Sequence, residues 1–357
     1  MHRISLCSAG LIVEIPAAFP GVAVAVPARA AGGLSVPLPS PAGRMSGIAD
    51  ARMCDAERPS VAAARQDLLH RVVLALLIGI PLAALVAAVP VAWGWGLSWA
   101  DAGIAVVMYL ISGHGITIGY HRLFTHRSFR ASAPVRIALA IAGSMALQGR
   151  VTRWVADHRM HHRFSDRPGD PHSPWRYGKS VLGLARGMLY AHVGWIIDSV
   201  HADEQEYARD LLADSGIVRA CRLYPVWVAG SVLLPPLAGG LLTMSWQGAV
   251  AVFFWATIVR IGLFHHVTWS INSICHVAGS RPFRTRDHAG NVWWLSVLSN
   301  GESWHNMHHS DPTCARHGAL RGQVDSSARV IQVLERLGWA WDVRWPEARR
   351  LAARRTG

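Results

Sequence analysis

Four long runs of apolar residues constrain the fold of this chain more than any other feature. They occupy residues 72–93, 102–120, 223–243 and 249–271, and the first two contain no Asp, Glu, Lys or Arg. A transmembrane α-helix needs about 20 predominantly apolar residues. Each run is therefore long enough to cross a bilayer, and we predict an all-α integral membrane protein with four transmembrane helices and a cytoplasmic helical cap.

A fifth apolar run, residues 137–149, is too short to cross a bilayer. At 1.5 Å per residue it covers about 20 Å, whereas the hydrocarbon core is about 30 Å thick. We predict a helix that does not span. The fourth long run contains Arg260. A charge inside a span is costly unless it is paired, so we expect Arg260 to face the bundle and to contact carbonyls or polar side chains.

The basic residues are distributed unevenly along the chain. The formal net charge is +13, but the loops at 93–101 and 244–248 contain no Lys or Arg, whereas residues 121–222 and those after 280 are rich in arginine. The positive-inside rule places both basic regions in the cytoplasm. The apolar content of 51% excludes a largely disordered chain. The spanning runs argue against a soluble nucleic-acid binder.

Three segments differ in composition. Residues 1–65 are rich in Ala, Pro, Gly and Ser and show no periodic apolar face. We predict a disordered extension or an over-long start, with Met45 or Met53 as the initiator, because prolines interrupt the apolar core that a secretory signal needs. Residues 66–320 are predicted to form the membrane domain, and residues 321–357 a basic cytoplasmic C-terminal tail.

Histidine is the second unusual feature, with 19 in the chain. Eight of them form one HxxxxH and two HxxHH motifs: His121 and His126; His158, His161 and His162; His305, His308 and His309. Helical residues at i, i+3 and i+4 share a face, so each HxxHH motif should direct its imidazoles toward one point. Neutral imidazole is a good ligand for iron, zinc or copper, and eight histidines can supply two metal ions.

Residues beside these motifs can complete the site. Asn272 and His276 lie one helical turn apart at the end of the fourth run and add a carboxamide and a ninth imidazole. Neighbouring carboxylates are expected to orient the ring nitrogens; they are Asp157, Asp166, Asp170, Glu302 and Asp311. His265 and His266 are either structural or further orienting groups. His114 is expected to form a hydrogen bond within the bundle, and His317 to have no catalytic role.

These motifs resemble those of membrane fatty acyl-CoA desaturases of the stearoyl-CoA, or Δ9, type, over residues 72–318. The resemblance rests on GITIGYHRLFTHRSF at 115–129, DHRMHHRFSD at 157–166, DPHSP at 170–174, HVGW at 192–195, TWSINSICH at 268–276 and GESWHNMHH at 301–309. The continuation DPTCARHG at 311–318 resembles bacterial, particularly actinobacterial, members. A bacterial plasma membrane, with the active site facing the cytoplasm, is therefore the expected location.

The resemblance implies a centre of two iron ions that uses O2 to introduce a cis double bond, at Δ9, into a long-chain saturated fatty acyl-CoA. The implied ligands are His121, His126, His158, His161, His162, His276, His305, His308 and His309, with Asn272 acting through a bound water. No catalytic residue is expected beyond these ligands. The sequence shows no haem-binding HPGG, ferredoxin or flavin motif. We therefore expect a separate electron donor, either a ferredoxin/flavin reductase or a cytochrome b5-type protein.

Substrate-binding residues can also be predicted. Trp154 stands where the family has an aromatic residue lining the acyl entry. We hypothesise that Tyr109 and Gly113 help to close the acyl tunnel, because Tyr109 lies about 18 Å along a helix from His121. The CoA phosphates would suit four arginines, namely Arg153, Arg159, Arg163 and Arg186. Residues 198–201 lack the basic residues of animal members, so another acyl carrier stays an alternative. Membrane lipid is the other expected partner, and nucleic acid is not.

Two other functions are compatible with these motifs. A membrane hydroxylase or alkane monooxygenase uses similar histidine motifs on similar spans, and analysis of the product separates it from a desaturase. A non-enzymatic metal-binding or transport protein should place its ligands near the bilayer midplane. The histidines here are predicted at the ends of the spans, which favours an enzyme.

Overall fold

Helices make up nearly all of the regular structure in the computed structural model, which describes residues 6–7, 10–11, 61–94, 96–198 and 201–356. The strands Leu6–Cys7 and Gly10–Leu11 pair antiparallel. The rest of the predicted extension before residue 61, including Met45 and Met53, lies outside the described residues. The prediction for this segment stays untested.

Four helices among the described residues are long and apolar enough to span a membrane, which confirms the predicted fold class. They are Arg71–Trp93, Trp99–Thr125, Tyr224–Thr243 and Trp246–His276, and we call them the first to fourth spans. The second and fourth spans continue about five residues beyond their predicted inner ends at 120 and 271. In both spans the helix continues through a segment that mixes polar and apolar residues, and these extensions carry His121 and His276.

The second and fourth spans change winding along their length. The second is an α-helix at Trp99–His114 and a π-helix at Gly115–Thr125. The fourth passes through Trp246–Val252 (α), Phe253–Val259 (π), Arg260–Ser273 (α) and Ile274–His276 (3-10). The first helix, Val61–Trp93, and the third, Tyr224–Thr243, are α-helical throughout. Because π-helical turns often occur at functional sites, the second and fourth spans are candidates for carrying a functional site.

Shorter elements surround the inner ends of these spans. The α-helices are Ala133–Ser144, Val151–Phe164, Val181–Leu189, Trp195–Ile197, Glu204–Tyr207, Arg209–Leu212, Ser215–Arg222, His305–Ser310, Ser326–Arg336 and Ala348–Arg354. Tyr190–Gly194 is π-helical and Trp293–Leu295 is a 3-10 turn. Strand Arg130–Ala131 pairs antiparallel with Ala340–Trp341. Ala133–Ser144 is the short apolar helix predicted not to span, displaced by about four residues toward the N-terminus.

Glycines allow this short helix to lie directly against the second span. A Cβ on Gly115 would lie 2.1 Å from the backbone nitrogen of Gly143, and one on Gly143 would lie 2.3 Å from Cε1 of Tyr120. Tyr120 also shares a hydrogen bond with Ser144 Oγ at 2.9 Å. The close contact fixes the π-helical segment that carries His121.

Arg260 is buried in the bundle, as predicted. Its guanidinium donates to the carbonyl oxygens of Ala256, Met145 and Ser231 at 3.1–3.3 Å, and to Ser231 Oγ at 2.8 Å. The span therefore carries a charge that its neighbours solvate.

The segment after residue 320 packs on the second span. Ser327 Oγ lies 2.6 Å from Thr117 Oγ1, and Ser326 Oγ lies 3.2 Å from His114 Nε2. His114 thus forms a hydrogen bond, but to the helix Ser326–Arg336 and not within the bundle as expected. The boundary between a domain at 66–320 and a tail at 321–357 stays a prediction, but residues on both sides of it share these contacts.

Candidate metal centre

The nine histidines predicted as ligands lie in two adjacent clusters, and within each cluster the ligand atoms are all within 4.8 Å of one another. The five-histidine cluster contains His121, His126, His158, His162 and His308. The four-histidine cluster contains His161, His276, His305 and His309. Either cluster could hold a metal ion.

Each HxxHH motif contributes to both clusters, so the expectation that each converges on one point was wrong. Helical residues are about 100° apart around the axis, so the i+3 and i+4 side chains diverge. His158 and His162 join the five-histidine cluster, and His161 joins the other. The third motif has the opposite assignment. Its i and i+4 residues, His305 and His309, belong to the four-histidine cluster, and its i+3 residue, His308, belongs to the five-histidine cluster.

The π-helix explains the HxxxxH spacing. In an α-helix, residues five apart point about 140° away from each other. Here the backbone N–H of His126 donates to the carbonyl of His121 at 3.1 Å, in the i to i+5 pattern of a π-turn. The two rings consequently lie 4.8 Å apart between centroids and enter the same cluster.

The spacing of the ring nitrogens fits metal coordination. His308 Nε2 lies 3.1 Å from His121 Nε2 and 2.9 Å from His162 Nε2. The corresponding distance between His276 and His305 is 3.0 Å. Two nitrogens that each lie about 2.1 Å from one ion, at right angles, are separated by about 3.0 Å. A single proton can link only two of the Nε2 atoms of His121, His162 and His308. A metal cation could accept the lone pairs of all three.

Burial keeps six of these imidazoles neutral. Removal from water lowers the pKa of His126, His158 and His162 well below the ordinary value, and neighbouring histidines lower it further. The same causes act on the third motif and lower the pKa of His305, His308 and His309. Neutral imidazole is the form that binds a metal, so these six side chains are in the binding form at neutral pH.

Aspartates orient the four-histidine cluster. A ring Nδ1–H that donates to a carboxylate leaves Nε2 free to bind a metal. The contacts are His161 to Asp170 at 3.0 Å, His276 to Asp166 at 3.0 Å and His309 to Asp287 at 2.7 Å. Asp166 and Asp170 have the predicted role. Asp287 was missed because nothing in its spacing from His309 indicates a contact.

Arginines hold the five-histidine cluster. Glu302 Oε2 contacts His121 Nδ1, in the predicted role, and Glu302 Oε1 is paired with the wholly buried Arg122 at 3.0 Å. Arg159 donates from NH2 to the carbonyl of Phe124 at 2.6 Å and from Nε to that of Thr125 at 3.3 Å. These guanidiniums fix the backbone and the carboxylate beside His121 and His126.

Two predicted carboxylates do not contact the ligands. Asp157 accepts the backbone N–H of Ala202 at 2.8 Å, and Asp311 pairs with Arg350 at 2.6 Å. Both are close to histidines in sequence, but Asp157 contacts the loop at Ala202 and Asp311 contacts the helix Ala348–Arg354. His265 and His266 do not orient the ligands either: the first contacts the carbonyl of Ala146 and the second contacts His192.

Two single histidines lie against the clusters. The ring of His172 stacks on His161, with centroids 4.3 Å apart, and that of His317 lies 4.5 Å from His308. Burial lowers the pKa of His172 to about 3 and also lowers that of His317. Neither belongs to a repeated spacing, so sequence reasoning did not assign it to the site.

An apolar cavity meets ligands of both clusters. Its walls include His121, His158 and His305, together with Asn272. The apolar part of its lining comprises Ile116, Trp154, Phe264, Val267 and Ile271. Trp154 therefore lines this cavity. An apolar chain placed here would lie against both candidate metal sites.

Tyr109 and Gly113 lie behind the wall of this cavity. The Tyr109 ring packs edge-on against Phe264, with centroids 5.3 Å apart, and its hydroxyl donates to the carbonyl of Leu298 at 2.7 Å. A Cβ on Gly113 would lie 3.2 Å from Phe264 Cε2. Both residues support Phe264, which itself lines the cavity.

The four arginines predicted to bind an anionic carrier all have partners inside the protein. Arg159 pairs with Asp210 at 2.7 Å and Arg163 pairs with Glu206 at 2.7 Å. The remaining contacts are Arg153 Nε to Asp157 at 3.4 Å and the guanidinium of Arg186 over the ring of Tyr177 at 4.2 Å. Their role toward the carrier stays a prediction.

Known proteins are similar to this chain in sequence. The model of the fatty acid desaturase family matches residues 97–320. A hex-5-enoyl-(acyl-carrier protein) acetylenase of Moorena producens is 37% identical, covering 77% of this chain and 87% of its own length. The Delta-9 acyl-lipid desaturase 1 of Arabidopsis thaliana is 36% identical, with 72% and 81% covered. The sn-1 stearoyl-lipid 9-desaturase of Anabaena variabilis is 34% identical, with 75% and 91% covered.

Proposed function

This chain belongs to the fatty acid desaturase family, and we propose that it introduces a cis Δ9 double bond into a long-chain saturated fatty acyl-CoA. The reaction uses O2, a centre of two iron ions, and electrons from a separate redox protein. The cavity that meets both histidine clusters carries this proposal, because its largely apolar lining includes histidines of both clusters.

The nine histidines would hold the two ions, with Asn272 facing the same cavity. Iron bound there supplies the activation of O2 that removal of hydrogen from two adjacent unactivated methylenes requires. The protein itself positions the chain and excludes water. Trp154 and Phe264 provide apolar walls, and Glu302 contacts Nδ1 of His121 while Nε2 of that ring faces the cluster.

Membrane placement follows from the spans. All nine histidines lie at or beyond the C-terminal ends of the second and fourth spans, and eight of them lie within the arginine-rich segments. We therefore place the centre on the cytoplasmic side of a bacterial plasma membrane. An acyl chain can then reach the cavity from the bilayer, while its polar carrier stays in water or at the lipid headgroups.

Expression in a desaturase-deficient bacterial host tests the reaction. Mass spectrometry of fatty acid derivatives should locate a new cis double bond at C9 of C16 or C18 chains, absent with His161→Ala. A hydroxylated product at the same carbon would overturn desaturation in favour of a hydroxylase. A double bond at another carbon would overturn only the Δ9 assignment.

The carrier requires a separate experiment, since the relatives named above act on acyl-lipid and acyl-(acyl-carrier protein) substrates. Purified protein, an electron-donor system and O2 are supplied with stearoyl-CoA, stearoyl-(acyl-carrier protein) or a stearoyl-lipid in vesicles. Conversion of stearoyl-CoA at the highest rate would support the proposal. Preference for either other substrate would replace the CoA assignment and leave the desaturase assignment intact.

A further inference from the structure

Asp325 lies beyond the segment matched by the family model, yet it is buried beside the five-histidine cluster. Both of its oxygens have partners. Oδ1 accepts from Arg122 NH1 at 3.0 Å and from the backbone N–H of Ala328 at 2.9 Å. Oδ2 accepts the backbone N–H groups of His317 at 2.8 Å and Gly318 at 3.2 Å. Four donors hold the position of this buried carboxylate and satisfy both of its oxygens.

A continuous chain of polar contacts connects Asp325 to a ligand. Arg122 bridges the carboxylates of Asp325 and Glu302, each at 3.0 Å, and also donates to the carbonyl of Ala315 at 2.8 Å. Glu302 in turn contacts Nδ1 of His121. Because the guanidinium charge is divided between two carboxylates, Glu302 keeps negative charge available for His121. With Asp325 neutral, Arg122 would pair with Glu302 alone.

Backbone packing provides a second connection. Gly301, which precedes Glu302, has a φ of +98°, and a Cβ there would lie 2.5 Å from Cγ of Asp325. The main chain at 301–302 therefore lies directly against the Asp325 carboxylate. The turn that Asp325 holds at 317–318 also places the His317 ring 5.3 Å from His121.

We propose that Asp325 is a positioning residue for the five-histidine metal site, acting through Arg122 and Glu302 on His121. The residues after 320 thereby complete the centre. The inference rests on the proposed metal centre, and it assigns to Asp325 an effect on one cluster only. The four-histidine cluster has its own aspartates and has no contact with Asp325 among the described residues.

The test is Asp325→Asn, which keeps the shape and removes the charge. The purified, detergent-solubilised full chain is titrated with ferrous iron-57 without oxygen, and Mössbauer spectra resolve the two sites. We expect affinity at one site to fall about 10- to 100-fold, as for other changes behind a ligand, with the second site unchanged. Asp170→Asn should weaken the opposite site. Asp342→Asn, at an exposed ion pair with Arg130 of 3.5 Å, should change neither.

Equal loss at both sites, or no loss at either, would overturn the proposal. If Asp325→Asn does not yield folded protein, Arg122→Lys replaces it, since lysine cannot make the forked contacts to two carboxylates. The same single-site loss is then required. Failure of this inference is distinguishable from failure of the proposed function. If the parent protein is an active desaturase and Asp325→Asn binds iron unchanged, only the inference is rejected. If Asp325→Asn loses iron at one site but the parent protein forms no double bond, only the proposed function is rejected.

Discussion

The two histidine clusters share both HxxHH motifs but differ in the charged side chains around them. Three of the four imidazoles in the four-histidine cluster donate to aspartates at 2.7–3.0 Å. In the five-histidine cluster Glu302 contacts one ligand, and two arginines fix the surrounding backbone and that carboxylate. One cluster has more carboxylates and the other has one more neutral ligand.

This difference should make the two metal sites unequal. A carboxylate that accepts the ring proton of a histidine increases the basicity of the ligand and adds negative charge near the ion. The four-histidine cluster should therefore favour the more highly charged ion, while the five-histidine cluster depends more on the number and placement of its imidazoles. Two of the chain's arginines, Arg122 and Arg159, thus have a structural role beside the histidine clusters.

Removing one ligand from each cluster should have the largest effect. With His161→Ala, desaturation should become undetectable and bound iron should fall from about two to about one per chain, because the four-histidine cluster loses a ligand. His126→Ala should do the same to the other cluster. Iron analysis and Mössbauer spectra distinguish the two. Loss of both ions in either variant would show that the clusters bind metal as one cooperative unit.

Changing one carboxylate behind each cluster gives an intermediate effect. Asp170→Asn and Glu302→Gln should each weaken iron binding by about 10- to 100-fold at their own cluster, since each removes the negative charge behind a histidine ligand. Competition with a chelator, followed spectroscopically, measures the affinity of each site. Loss of affinity at the opposite cluster, or at neither cluster, would mean that these carboxylates do not support the cluster that they contact.

Tyr109→Ala should change the product without changing either cluster. It removes the ring that supports Phe264 in the cavity wall, so acyl chains longer by a few carbons should be accepted at a several-fold higher relative rate. Chain-length profiles of the unsaturated products measure this, with iron content as the control. An unchanged profile would exclude Tyr109 from the control of chain length.

Asp210→Asn should have the smallest effect and should act on stability. Burial tends to raise the pKa of Asp210, but hydrogen bonds from Arg159 and Arg127 lower it to about 2. The pair therefore stabilises the fold above the ordinary pKa of about 3.9 and loses this contribution as the pH falls toward 2. Because the carboxylate is partly exposed, we expect a loss of about 1 kcal/mol at pH 7.

Thermal unfolding in detergent at pH 7 and at lower pH measures this loss. The difference between Asp210→Asn and the parent should shrink as the pH approaches 2, and Asp342→Asn should differ little from the parent at any pH. A constant difference across the range would mean that Asp210 stabilises the fold through packing and not through its charge. Because Arg159 supports the carbonyls of Phe124 and Thr125, any accompanying iron loss should be confined to the five-histidine cluster.

Sequence reasoning identified the spans and the nine histidines, since hydropathy and repeated spacing are local properties. It could not assign ligands to clusters, because that depends on the relative rotation of helices in contact. The π-winding before His126 also has no clear local signal. Asp287 and Asp325 lie on segments distant in sequence from the histidines that they support, so only the tertiary fold brings them to the centre.

Each HxxHH helix contributes adjacent imidazoles to different clusters: His161 and His162 in one helix, His308 and His309 in the other. Consecutive residues in a helix are spaced by fixed backbone geometry. The backbone of these two helices would thus set the separation of the two ions, even if nothing bridged the ions themselves. A one-residue insertion within either motif would disturb both sites at once. Length changes should therefore be far less tolerated inside these motifs than in the loops that connect them.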